Sequence, residues 1–151
     1  MQPRSLHELL AAERQAVLAT LSARPGGWPF ASVAPYALTH GGEPLLLLSD
    51  LAEHTRNLRA DRRASLLIQD SREAEDPQAG SRVTLLGSAE PATDEPEARG
   101  HYLARHPLAD QYFMLGDFHL WVLRVTAARF VNGFGDMGWL EGQALRVALA
   151  E

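Results

Sequence analysis

The chain has 151 residues, 46% hydrophobic and 22% charged, with a net charge of −5 and no cysteine. That length suits one domain with a real core, here taken as residues 1–151, and the acidic balance disfavours a nucleic-acid backbone as partner. The missing cysteines exclude disulfides, thiolate chemistry and Cys-based zinc sites, and the fourteen cationic residues, all arginine, leave neither a Schiff-base lysine nor a P-loop.

The N-terminal MQPRSLHELL carries no apolar core of signal-peptide length, and no apolar run approaches a membrane span. The expectation is a cytoplasmic protein without membrane contact. Ser5 and Glu8 have capping-box spacing, and Leu6, Leu9 and Leu10 follow at helical intervals, so a first helix is expected over about 5–14. Gln15–Leu21 reads as a strand and Arg24-Pro25-Gly26-Gly27 as a turn. Pro29–Leu38 reads as a second strand, with His40-Gly41-Gly42 turning it into Pro44–Ser49. A short charged helix is expected over Asp50–Ala60, then a strand at Ala64–Gln69.

Asp70–Gly80 is polar, acidic and rich in breakers, and reads as a mobile surface loop. Arg82–Pro91 is a fifth strand in which Gly87 signals a bulge or a close backbone approach. Glu95–Arg105 is helical and is stopped by His106-Pro107, and a further helical turn is expected over Ala109–Met114. Phe118–Arg124 and Arg129–Val131 are the last strands, and the tail from Gly142 reads as a strand or a frayed helix. Short strands joined mostly by hairpins, with few helices, predict a closed antiparallel barrel with helices outside rather than a doubly wound parallel sheet; a sandwich would satisfy the same pattern.

Several positions have side chains suited to a ligand. Ser49 ends a strand, and His54, Thr55, Arg56 and Asn57 lie in the next helical turn. Free N–H groups and the positive end of a helix dipole favour an anion at such a junction, and ordinary capping of a solvated helix gives the same pattern. In Ser32-Val33-Ala34-Pro35-Tyr36 the proline cannot donate to a ladder, so the strand is at an edge facing a flat heterocycle or at a barrel corner. Arg82 could reach a phosphate or extend to solvent. Gly133-Phe134-Gly135 could offer Phe134 as a stacking ring or simply turn the chain. The six histidines show no ligand-like spacing, so no metal site is expected, and no nucleophile–base pair is proposed.

Read together, SVAPYAL (32–38), LLLLSDLAEHTRNL (45–58), RRASLLI (62–68), RVTLLGSA (82–89), YLARHP (102–107), DFHL (117–120) and VNGFG (131–135) resemble the FMN-binding split-barrel superfamily of pyridoxamine 5′-phosphate oxidase-like proteins, and within it the haem-utilisation branch. The resemblance implies a mainly β fold with flanking helices, a six-stranded antiparallel Greek-key split barrel. It also implies a homodimer with the cofactor at the protomer interface and a small-molecule substrate. Ser32, Val33, Ala34, Pro35 and Tyr36 would lie along a flavin, Ser49 beside it, and His54, Thr55, Asn57 and Arg82 at the FMN phosphate, with Gly133 and Phe134 close by. The oxidases carry Arg-Lys where this chain has His54-Thr55, and a glutamine where it has Arg82. The implied function is an FMN-dependent oxidoreductase; a haem-binding or haem-degrading protein, a non-catalytic flavin carrier and a deazaflavin-dependent reductase are the alternatives.

Overall fold

The computed structural model describes residues 2–72, 75–133 and 135–151. Helix α1 covers Leu6–Ala12; Ser5 Oγ accepts from the Glu8 N–H at 3.2 Å, and Leu6, Leu9 and Leu10 turn into the core. Strand β1, Gln15–Ala23, hairpins into β2, Gly26–Pro35, after which the two-residue β3 forms at Ala37–Leu38. Strand β4 is Pro44–Ser49, helix α2 Glu53–Ala60, strand β5 Arg63–Gln69 and strand β6 Ser81–Pro91. Helix α3, Glu95–Arg105, leads through a 3-10 turn at Pro107–Ala109 into the short α4, Asp110–Phe113. Strand β7, Phe118–Asn132, β8, Met137–Glu141, and helix α5, Gly142–Ala150, complete the chain.

All pairings are antiparallel, in the order β2-β1-β5-β6-β7-β4-β3, with β8 added to the far end of β7. Residues up to Pro35 pair with β1, whereas Ala37 and Leu38 pair with β4. One bent strand therefore serves both ends of the sheet order and closes the barrel at Tyr36. The mainly antiparallel barrel with outer helices is as expected, but the described residues form eight strands rather than six. The expected Pro29–Leu38 is split at Tyr36, and β8 is additional. Phe118–Arg124 and Arg129–Val131 are one strand, because the intervening residues stay paired to β6 across a bulge at Leu86–Gly87. A Cβ on Gly87 would run into the Arg124 carbonyl.

Strand β4 is apolar from Pro44 to Leu48 because both its faces are covered there. Leu46 and Leu48 join the main core with Leu9, Leu18, Leu66, Leu85 and Leu123. Leu45 and Leu47 join a second cluster beneath α3, with Tyr102, Leu120 and Val122. The tail from Gly142 is helical, and its Leu145 and Leu149, one turn apart, both enter the main core. The predicted helix 50–60 starts later, at Glu53. The expected loop at 70–80 is anchored where it begins: Asp70, 5% exposed, bonds Arg4 and Arg72. Among the described residues no helix is long and apolar enough to cross a membrane.

Candidate functional site

Two faces of the barrel carry the residues singled out in the sequence. On the first, α2 lies against β1 and reaches β2 through His54. His54 Nδ1 lies 3.2 Å from Ser32 Oγ, and burial pushes the ring's pKa down from its usual value. No side chain caps the first turn of α2. The Thr55 hydroxyl, fully buried, donates to the Ser49 carbonyl at 2.6 Å and so ties the helix to the end of β4. Asn57 is buried too: its Nδ2 donates to Thr20 Oγ1 at 3.0 Å, and its Oδ1 accepts from the Ala23 N–H at 2.9 Å. These two polar groups are therefore engaged inside the protomer, and only Ser32 and His54 of this set stay half-open to a ligand.

Ser49 Oγ donates to Asp117 Oδ2 at 3.0 Å and accepts from the Leu51 N–H at 3.1 Å, which shapes the turn before α2. Ala34 and Tyr36 point inward; the Tyr36 hydroxyl donates to the Leu10 carbonyl at 2.6 Å, and burial, aided by Glu13, raises its pKa well above the usual tyrosine value. His106 Nε2 bonds the Tyr36 carbonyl at 2.6 Å, so the closure point is held from both sides.

The second face is the outer surface of β2, β1, β5 and β6. Val33 and Pro35 project there, alternate to the inward residues of β2. Val33 pairs with Val17, and Val17 with Leu67; one row further, Ala31, Ala19, Ser65 and Leu86 lie side by side. Val33 is 65% exposed, and Val17, Leu67 and Leu86 about a third. Two shallow cavities of ≈ 220 and ≈ 420 Å³ indent this surface, the smaller bordered by Val17, Val33 and Leu67, the larger by Ala19, Pro29, Arg63 and Leu86. Arg82 also projects to this side, its Nη1 donating to the Gln78 carbonyl at 2.9 Å. Ser32 and Arg82 are three strands and three residues apart in register, roughly 17 Å on strand spacings, and on opposite faces. One protomer does not bring them together. Gly133 sits at the end of β7 with φ +92°; Phe134 lies outside the described residues.

Apart from Val33, Pro35 and Arg82, the residues of this outer face are not among those singled out in the sequence. Its signal was present in β1, where the outward positions Val17, Ala19, Leu21 and Ala23 are all apolar. Among the described residues there is no group of three or more His, Asp or Glu placed to hold a metal ion.

The family described as CREG, β-barrel matches residues 2–145. A solved structure of a haem binding protein from Mycobacterium smegmatis is 40% identical, with a TM-score of 0.84, over 97% of this chain and 62% of that one. A chloroplastic protein of Arabidopsis thaliana, the non-canonical heme oxygenase HOZ, is 37% identical over 119 residues, covering 78% of this chain and 36% of that protein. The chain thus spans less than two thirds of either relative. A Clostridium acetobutylicum protein of the pyridoxinephosphate oxidase family shares the fold at a TM-score of 0.66 with 14% identity. The resemblance to the split-barrel superfamily and its haem-utilisation branch agrees with these likenesses.

Proposed function

The chain belongs to the CREG β-barrel family, and on that premise we propose that it binds haem as a homodimer, with the outer face of β2-β1-β5-β6 forming the subunit contact and one wall of the haem cleft. The observation that carries this reading is the apolar surface itself. Val33, Val17, Leu67, Ala31, Ala19 and Leu86 form adjoining rows with hardly a charge among them. Monomers rarely leave such a surface uncovered. Haem is a flat apolar ring with two carboxylates on one edge; the rows suit the ring, and Arg82, at one end of the face, suits the carboxylate edge, whereas Arg63 at the other end is already paired with Asp61. The names of the Mycobacterium smegmatis and Arabidopsis thaliana relatives support the same ligand. None of the six histidines stands in these rows, so this wall contributes apolar contact and charge rather than an axial ligand.

The test is a haemin titration followed by absorbance and thermal unfolding, with light scattering for the oligomer. The expected result is a dimer, a shifted Soret band and a raised Tm, since a ligand that prefers the folded state stabilises it. A monomer whose spectrum and Tm ignore haemin would overturn the reading.

A second reading, FMN or a deazaflavin in place of haem, is favoured by the Ser32–His54 contact beside the uncapped start of α2. A phosphate there would meet free N–H groups and the helix dipole. FMN would supply hydride and electron transfer; Ser32 and His54 would orient it. This reading expects His54→Ala to weaken FMN more than riboflavin, and equal loss for both refutes it.

A further inference from the structure

Between the C-terminal end of α2 and the start of α3 lies a cleft of ≈ 340 Å³ that neither face described above includes. Arg59 from the end of α2, Arg62 just after it, His119 from β7 and Glu95 from the start of α3 line it, and Pro91 and Trp121 are among its apolar lining. One carboxylate orients Arg59 and His119. Asp50 Oδ1 takes the Arg59 guanidinium, and Asp50 Oδ2 lies 3.2 Å from His119 Nε2. A carboxylate behind an imidazole fixes its orientation and leaves the other ring nitrogen for another partner. Glu95 is matched to Arg99 at 3.7 Å. No carboxylate among the described residues forms an ion pair with Arg62.

We propose that this cleft is a second ligand site, selective for a small organic monocarboxylate whose apolar body rests on the Pro91–Trp121 lining. The Arg62 guanidinium, with no carboxylate partner among the described residues, presents two parallel N–H groups to the two oxygens of a carboxylate. The apolar lining rewards a hydrocarbon or aromatic body over a bare ion, and Glu95 in the same cleft repels a second negative charge. The site requires no covalent step and is independent of haem or flavin binding.

Benzoate and inorganic phosphate are the probes, titrated calorimetrically into the full chain. Fluorescence of the Trp28→Phe/Trp139→Phe variant reports on Trp121 alone. Benzoate is expected to bind and change that fluorescence, and phosphate to bind at least tenfold more weakly. Arg62→Ala should weaken benzoate about tenfold, the loss of one charge-assisted contact, and Arg62→Lys should restore part of it. Arg62 is exposed, so an unchanged Tm serves as the folding control. Failure of benzoate to bind, equal affinity in Arg62→Ala, phosphate binding as tightly as benzoate, or displacement of benzoate by haemin would each overturn the proposal.

Discussion

His54 on α2 and Ser32 on β2 meet at 3.2 Å, a contact that joins the helix to the strand beside the one it packs on. Burial holds the histidine's pKa below its usual 6.5. The unfolded chain therefore takes up this proton before the folded one does. Stability from this group is level above about pH 6.5 and falls as the pH drops below that value. Replacing His54 by Gln keeps a hydrogen-bonding side chain without the titration. Urea unfolding between about pH 7.5 and 5 should show a flatter decline for the variant. An equally steep decline would assign the acid sensitivity elsewhere.

Asn57 satisfies two groups at once, the Ala23 N–H and the Thr20 hydroxyl. Asn57→Ala leaves the part-buried Ala23 N–H without its acceptor and the buried Thr20 oxygen without its donor, and should cost about 1–3 kcal/mol. Thr55→Val, which removes the bond to the Ser49 carbonyl, should cost about 1 kcal/mol. Chemical denaturation measures both. Because both side chains are turned inward, ligand affinity of the folded Thr55→Val variant should stay near that of the parent.

Gly87 packs against the Arg124 carbonyl at the β6–β7 bulge. An added methyl forces the two strands apart, and Gly87→Ala should lose about 1–3 kcal/mol. A thermal melt reports the loss directly. Gly100, whose surroundings are open, is the comparison: in the interior of α3, Gly100→Ala should stabilise by about 0.5–1 kcal/mol.

Val33 is the most exposed residue of the apolar row. Val33→Glu puts a charge on the proposed subunit contact without touching the core. Light scattering should show a monomer, and haemin affinity should fall by at least tenfold, the equivalent of about 1.4 kcal/mol. A stable dimer with full haemin affinity would place the contact on another surface.

Asp70 is held between Arg72 and Arg4, and those partners lower its pKa, the Arg72 hydrogen bond most of all. A carboxylate with a depressed pKa stabilises the fold above its unfolded value, near 3.8, and loses that contribution as the pH falls through the lower folded value. Asp70→Asn should be less stable than the parent at pH 7, and the gap should close in acid. A constant gap from neutral to acid pH would show that charge plays no part.

The strands with one-sided alternation, such as the later turns of β5, were legible in the sequence, as were the cap at Ser5 and the break at His106-Pro107. Strand β8 was missed because MGWLE buries little and so carries no core pattern. In α5, Leu145 and Leu149 mark a helical face, but Val147 between them mimics strand alternation. The pairing of His54 with Ser32 followed from neither spacing nor composition; it depends on how α2 packs on β1. Residue type pointed to Thr55 and Asn57 as donors, yet a donor's direction is set by packing, and both turn inward. The rest of the apolar outer face is hidden in the sequence because hydrophobic residues on both sides of a strand read as core rather than as a surface awaiting a second chain.

The bend at Tyr36 leaves few loose backbone groups for another molecule to pair with. Since one strand joins both ends of the sheet order, the outer sides of β2 and β8 are the free edges that remain beside the short β3–β4 corner. Strand β2 contains Pro29 and Pro35, neither of which has an N–H to give, and β8 is only five residues long. Copies of this barrel are thereby steered away from ribbon-like aggregation and towards meeting broadside.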